Sequence, residues 1–283
     1  MKLKKMICGL AAFMLVFSTG CGAAGEAEDK KERAENFSYI SHRGACASVP
    51  ENTVEAFSHA MDRGFDGIEM DVWETDSGDL LVFHDATLER MCNSDKYIWE
   101  ISEADRKQYP IQFETAKKKK KTDVIPTLAE SLDILKDKNC PVYLHIKIDT
   151  DAKHYFSEQA ADKVVALLEE RNMTDNTIIF STHQNRVMSL FTGRNLNLGY
   201  ITGQTDRKVL QERMDWCEEN KVENLILYKI DGIRMEENGA DLVKECHDRG
   251  FSVGVYKVNT KDDEQFLIET GADFSISRKA FFE

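Results

Sequence analysis

From residue 37 onward, short β-branched apolar runs alternate with longer stretches whose apolar residues recur every three or four positions. The short runs predict strands: FSYISH, FDGIEMDV, VYLHIKI, TIIFSTH, LNLGYIT, NLILYKI, FSVGVYKV and DFSIS. The longer stretches predict helices: NTVEAFSHAMDRG, PTLAESLDILKD, SEQAADKVVALLEERN, QNRVMSLFTGR, DRKVLQERMDWCEEN, GADLVKECHDRG and DDEQFLIETG. In the first helix Val54, Phe57, Ala60 and Met61 share one face. Asn52, with Glu55 three residues on, predicts a capping box, and Gly64 a stop.

Strands that alternate with helices imply right-handed crossovers and a parallel sheet. Eight repeats predict an α/β fold of the (β/α)8 TIM-barrel class, with its site at the C-terminal ends of the strands. An open doubly wound sheet is the alternative. No G-x-G-x-x-G follows a strand, which weakens a dinucleotide site. LLVFHD is an extra extended piece outside the eight. Residues 86–124 break the rhythm and predict an insertion between the second strand and the second helix. The lysine run at 117–121 within it reads as a solvated face, with contact to anionic lipid or cell-wall polymer as the alternative.

The N-terminus changes the picture. Three lysines and the apolar AAFMLVF precede FSTGC, a stretch too short for a spanning helix. The pattern resembles a bacterial lipoprotein signal, with Ser18 where leucine is commonest. It implies residues 1–20 as signal peptide and Cys21 as the acylated first residue of the mature chain. An ordinary secretory signal is the alternative. Residues 21–36 are polar enough to form a disordered tether, which leaves 37–283 as the barrel domain. The expected location is therefore extracytoplasmic, anchored to the cell membrane. The formal net charge of the 283 residues is -13, and losing Lys2, Lys4 and Lys5 makes it -13 - 3 = -16. So acidic a chain argues against a nucleic-acid partner but not against a small anionic substrate. Five cysteines remain after Cys8 and Cys21; without a CxxC pair they predict free, buried thiols.

Polar residues gather where the strands end. The first strand closes on His42 and Arg43. The second carries Glu69 and Asp71, two apart and so on one side. LLVFHD ends in His84 and Asp85, and the next strand brings His145, Lys147 and Asp149 to one side by alternation. Charged groups at inward positions of a barrel need partners or a metal.

The stretch HRGACASVPENTVEAFSHAMDRGFDGIEMDVWETDSGDLLVFHD, residues 42–85, resembles the N-terminal signature of the glycerophosphodiester phosphodiesterase family, and IPTLAESLDIL continues it. The resemblance, over about residues 38–278, implies metal-dependent hydrolysis of a phosphodiester to an alcohol and a phosphomonoester. Carried over by position, His42 and His84 become the acid–base pair and Arg43 and Lys147 bind the phosphate. Glu69 and Asp71 become metal ligands. Glu51 would orient Arg43 or reach the metal's outer shell.

Three positions depart from the family pattern. His145 stands where a glutamate ligand is usual, Tyr256 where a tryptophan often packs on substrate, and Ser277-Arg278 where Thr-Asp is common. The resemblance implies Ca²⁺ or Mg²⁺, whereas His145 as third ligand opens Mn²⁺ or Zn²⁺. Asp149 could replace the missing oxygen, or metal binding could weaken. His183 also falls at a strand end as a further substrate contact. Cys46 and Cys92 are expected on the active-site face as inert thiols, with a redox role as the alternative. The expected function is thus a lipid-anchored phosphodiesterase acting on glycerophosphodiesters, lysophospholipids or glycerol-phosphate polymers. The alternatives are a barrel lipoprotein that only binds such headgroups and a lyase forming a cyclic phosphate.

Overall fold

The computed structural model describes residues 33–44, 49–114, 120–204, 206–228, 233, 239–279 and 281. Its strands are β1 (Ser38–His42), β2 (Gly67–Glu74), β3 (Leu80–Val82), β4 (Ile111–Glu114), β5 (Lys120–Asp123), β6 (Val142–Ile146), β7 (Thr177–Ser181), β8 (Asn197–Thr202), β9 (Asn224–Leu227), β10 (Ser252–Val258) and β11 (Phe274–Ser277). Its helices are α1 (Val54–Asp62), α2 (Glu89–Cys92), α3 (Leu128–Asp133), α4 (Glu158–Glu169), α5 (Gln184–Val187), α6 (Arg207–Glu219), α7 (Gly239–Asp248) and α8 (Lys261–Thr270).

Parallel pairing runs from β2 through β6, β7, β8, β9, β10 and β11 to β1, and β1 pairs back onto β2. The ring is closed, so the open-sheet alternative is excluded. The extra extended piece is β3, antiparallel to β2 and outside the ring. The helices pack on the outer wall, where Ile68, Met70, Val72, Leu144 and Ile146 meet Phe57, Leu132, Val164 and Leu168 in one core. Alternation turns the other residues inward, and Ile40, Ile178, Phe180, Ile201, Ile226, Phe274 and Ile276 plug the barrel. Gly254 is required here: a Cβ would lie 2.1 Å from the Phe274 ring.

Helix α1 starts on Thr53, whose Oγ1 accepts from Ala56 N at 3.1 Å. The expected cap, Asn52, is displaced from that role because it takes a left-handed φ of 56° and spends its amide on Asp71. The helix predicted at QNRVMSLFTGR is only α5 followed by a 3-10 turn at Met188–Leu190.

The described residues of 86–124 form an insertion, with a small core of their own. Leu88, Cys92, Ile98, Trp99, Ile101 and Ile111 pack against Trp73 and Phe83 of the barrel side. The Trp99 ring stacks on His154 at 4.4 Å, and Arg106 holds Glu130 through two 2.6 Å hydrogen bonds. Of the lysine run, Lys120 and Lys121 are exposed on β5, and 117–119 lie outside the described residues. The signal, Cys21 and Cys46 also lie outside them. Ahead of β1, Arg33 pairs with Asp66 at 2.5 Å. Among the described residues no helix is long and apolar enough to cross a membrane.

Candidate active site

The loop after β1 is shaped by three left-handed positions, Arg43 (φ 59°), Gly44 (φ 78°) and Asn52 (φ 56°). Gly44 also lets α1 approach, since a Cβ there would lie 2.7 Å from the Ala56 carbonyl carbon. The turn aims the Arg43 backbone N–H at Glu69 Oε2, 3.0 Å away. The Arg43 guanidinium then bonds Glu51 at 2.9 Å and lies 3.2 Å from Asp71 Oδ2. Glu51 therefore orients Arg43. It is also held by Arg90 at 2.6 Å and by Arg278 at 3.4 Å.

Glu69 and Asp71 are fully buried, and His145 is 3% exposed. One ligand atom from each lies within 4.8 Å of the other two. His145 Nδ1 is 3.0 Å from Asp71 Oδ1 and 3.9 Å from Glu69 Oε1, while its ring stacks on Phe180 at 4.7 Å. Its Nε2 is buried and has no hydrogen-bond partner among the described residues. Burial and then the neighbouring Asp71 push the Glu69 carboxyl well above its ordinary range. Burial would raise Asp71 too, but Lys147, His145 and Arg43 outweigh it and hold that carboxyl well below. Burial, with the charge of Lys147, lowers His145 to about 4. A neutral imidazole beside two crowded buried carboxylates fits a divalent cation.

The two candidate acid–base histidines have different surroundings. His84 offers Nδ1 to Asp85 Oδ1 at 2.6 Å, and Arg90 holds the other Asp85 oxygen at 2.5 Å. His42 is 2% exposed. Arg278 Nε donates to its Nδ1 at 3.3 Å, so the neutral ring carries its proton on Nε2 and donates to Tyr256 Oη at 2.8 Å. Tyr256 passes the bond on to Glu69 Oε1 at 3.3 Å. Burial and the charge of Arg43 keep the His42 pKa well below the usual imidazole value.

His42, Arg43, Glu69, Asp71, His84, His145, Lys147 and Tyr256 are thus gathered at one end of the barrel. One expectation needs correction. Asp149 does not join the carboxylates: the strand ends at Ile146, alternation lapses, and Oδ1 of Asp149 accepts from the amides of Asp151 and Ala152. His183 lines a cavity of about 300 Å³ with Thr150, Arg186, Tyr200 and Arg213, and none of those site residues is in its lining. Cys92 is buried in the insertion core, where burial pushes its thiol up to about 12, which agrees with the inert-thiol reading. Cys140, Cys217 and Cys246 are likewise free and buried, as expected. Sequence reasoning missed Asn52 and Arg90. Asn52 donates Nδ2 to Asp71 Oδ2 at 2.9 Å and accepts the Asp71 N–H at 3.3 Å. Arg90 comes from the insertion.

Charged, buried groups at the strand C-termini of a closed barrel, with histidines beside an acidic pair, define a barrel hydrolase with a candidate metal site. The sequence pattern of the glycerophosphoryl diester phosphodiesterase family matches residues 42–277. The chain belongs to that family and is a phosphoric diester hydrolase. A glycerophosphodiester phosphodiesterase from Caldanaerobacter subterraneus subsp. tengcongensis is 28% identical over 237 residues, 83% of this chain and 90% of its own. The solved glycerophosphodiester phosphodiesterase of Thermotoga maritima shares the fold with a TM-score of 0.68 at 21% identity, covering 86% of this chain and 94% of its own. A phosphodiesterase from Oleispira antarctica, solved with the product sn-glycerol-3-phosphate, gives 0.67 at 20% identity over 85% and 92%.

Proposed function

We propose that the protein hydrolyses glycerophosphodiesters, or related lysophospholipids or glycerol-phosphate polymers, with a divalent metal and with His42 and His84 as the acid–base pair. The observation that carries this reading is the buried Glu69–Asp71–His145 cluster with both histidines at the same barrel mouth. Glu69, Asp71 and His145 would hold the cation, and two carboxylates with one imidazole favour Mn²⁺ or Zn²⁺ over Ca²⁺ or Mg²⁺. When bound, such an ion offsets the negative charge that develops on the phosphoryl oxygens. Arg43 and Lys147 add fixed positive charge, with Lys147 Nζ 3.6 Å from Asp71 Oδ1.

The hydrogen bonds support separate tasks for the histidines. With Nδ1 on Asp85, His84 keeps the Nε2 lone pair free to take the proton from the attacking hydroxyl, and the imidazolium formed faces a carboxylate. His42 holds its proton on Nε2 and would offer it to the leaving oxygen in place of Tyr256. The rival reading, binding without turnover, is favoured by Tyr256 occupying that Nε2.

Turnover of glycerophosphocholine and bis(p-nitrophenyl) phosphate by the full chain, with Ca²⁺, Mg²⁺, Mn²⁺ and Zn²⁺ in turn, separates the two. We expect activity with at least one ion and a loss of about 10²–10⁴-fold in His42→Ala and His84→Ala. No turnover with any ion would leave only binding, and phosphorus NMR of the products would expose a cyclic phosphate. We further propose extracytoplasmic anchoring through lipid on Cys21. Palmitate labelling of the intact chain, abolished in Cys21→Ser, is the expected result, and label retained by Cys21→Ser refutes it.

A further inference from the structure

Strand β10 breaks its alternation beside the site. Val253 and Val255 face the helices and Tyr256 faces inward, so Lys257 should point out. The register against β11 shifts between Tyr256 and Val258, and Lys257 takes a left-handed φ of 66°. A bulge of this kind re-aims a side chain, and a residue with a Cβ holds that conformation at a cost. The Lys257 ammonium ends 2.6 Å from Tyr228 Oη, 4.8 Å from the Tyr228 ring centre and 5.7 Å from that of Tyr256. Tyr228 and Tyr256 are stacked at 5.9 Å, and Tyr256 touches His42. No carboxylate pairs with Lys257 among the described residues. Arg278, half-exposed just after β11, is loosely held: 3.3 Å from His42 Nδ1 and 3.4 Å from a Glu51 already shared by Arg43 and Arg90.

We propose that Lys257 and Arg278 form an anion subsite at the β9–β11 side of the barrel mouth. It receives a phosphate group carried by the alcohol on the His42 side of the substrate diester. Two stacked tyrosines could instead cage a quaternary ammonium. Here that place is filled, because the Lys257 ammonium already lies over both rings. The subsite rests on the proposed phosphodiesterase reading and names its substrate class: diesters whose second alcohol is itself phosphorylated, the chemistry of a glycerol-phosphate polymer end.

The test compares three glycerol-phosphate diesters, of choline, of glycerol and of glycerol phosphate, on the full chain with its activating metal. We expect kcat/KM to be highest for the phosphorylated alcohol and lowest for choline, by about tenfold or more between the extremes. In Lys257→Glu the ratio of phosphorylated to choline diester should fall by about tenfold to a hundredfold. Should that variant fold poorly, Lys257→Gly removes the charge while suiting the left-handed backbone, and should lower the same ratio. A choline preference in the unaltered protein, or a ratio unmoved in both variants, overturns the proposal. Calorimetric binding of the phosphorylated diester keeps the two readings apart. Binding weakened by Lys257→Glu without any turnover sinks the hydrolase reading and leaves the subsite standing. Turnover with no charge preference does the reverse.

Discussion

Asn52 is the most informative side chain to remove, because it bonds the candidate metal cluster and takes a left-handed backbone. Its Nδ2 donates to the fully buried Asp71 carboxylate at 2.9 Å, and its Oδ1 accepts a longer 3.3 Å bond from the Asp71 amide. Losing a hydrogen bond to a buried charge costs about 1.5–3 kcal/mol, and the weaker bond adds about 0.5 kcal/mol. The left-handed φ of 56° suits asparagine and glycine but costs alanine about 1–2 kcal/mol more. Asn52→Ala should therefore destabilise by about 3–5.5 kcal/mol, and Asn52→Gly by about 2–3.5 kcal/mol. Asn52→Asp tolerates the backbone but turns a carboxylate toward Asp71, and should fall below Asn52→Gly. Freed from its donor, Asp71 should also bind Mn²⁺ about 10–100-fold more weakly. Urea unfolding and Mn²⁺ calorimetry read the two effects separately. The reasoning is refuted if Asn52→Gly keeps its stability within about 0.5 kcal/mol and its Mn²⁺ affinity within about twofold.

His145→Glu should move calorimetric ion preference toward Mg²⁺ and Ca²⁺, and an unchanged preference would remove His145 from the ligand set. Burial alone would raise Glu51, but Arg43, Arg90 and Arg278 outweigh it and hold its carboxyl below the ordinary carboxylate value. The folded state thus resists that proton, so its contribution is complete above about pH 4.3 and is lost as pH falls through the lowered folded value. Glu51→Gln should cost about 3–5 kcal/mol at pH 7, with the gap to the unaltered protein closing below about pH 4 in urea titrations. Cys92 should stay unmodified by a thiol reagent in the native protein and react only on unfolding; rapid native labelling would contradict its burial. His145→Glu and Tyr256→Trp should couple by more than about 0.5 kcal/mol in a double-mutant cycle, since their rings lie 6.4 Å apart, whereas additive effects would mean independent sites.

The barrel was legible because its signal is periodic: each strand needs an apolar run, each crossover an amphipathic helix, and the repeat fixes the class. Glu69 and Asp71 were legible for the same reason, since strand alternation holds across β2. Asp149 was misread where that rule lapses, because three residues beyond Ile146 the chain has left the strand and folded into a turn. Asn52 was assigned a capping role on chemistry that Thr53 supplies equally well. Choosing between them needs the backbone angle at 52, which a local pattern does not carry. Arg90 was hidden in an irregular insertion, where only the folded core around Trp99 sets its direction.

The three departures from the family pattern looked separate along the chain, but in space they join. Arg278 reaches His42 Nδ1, His42 Nε2 reaches Tyr256 Oη, and Tyr256 reaches Glu69 Oε1, which lies 3.9 Å from His145 Nδ1. A glutamate at 145 would crowd a third carboxylate against Glu69, whose own carboxyl is already pushed up by burial and Asp71. A neutral imidazole there relieves that crowding. The same exchange withdraws negative charge from the mouth, where Lys257 and Arg278 add positive charge. On the proposed reading His145 and Arg278, linked through Tyr256 and His42, would shift the site in one direction, toward a softer cation below and a more anionic substrate above.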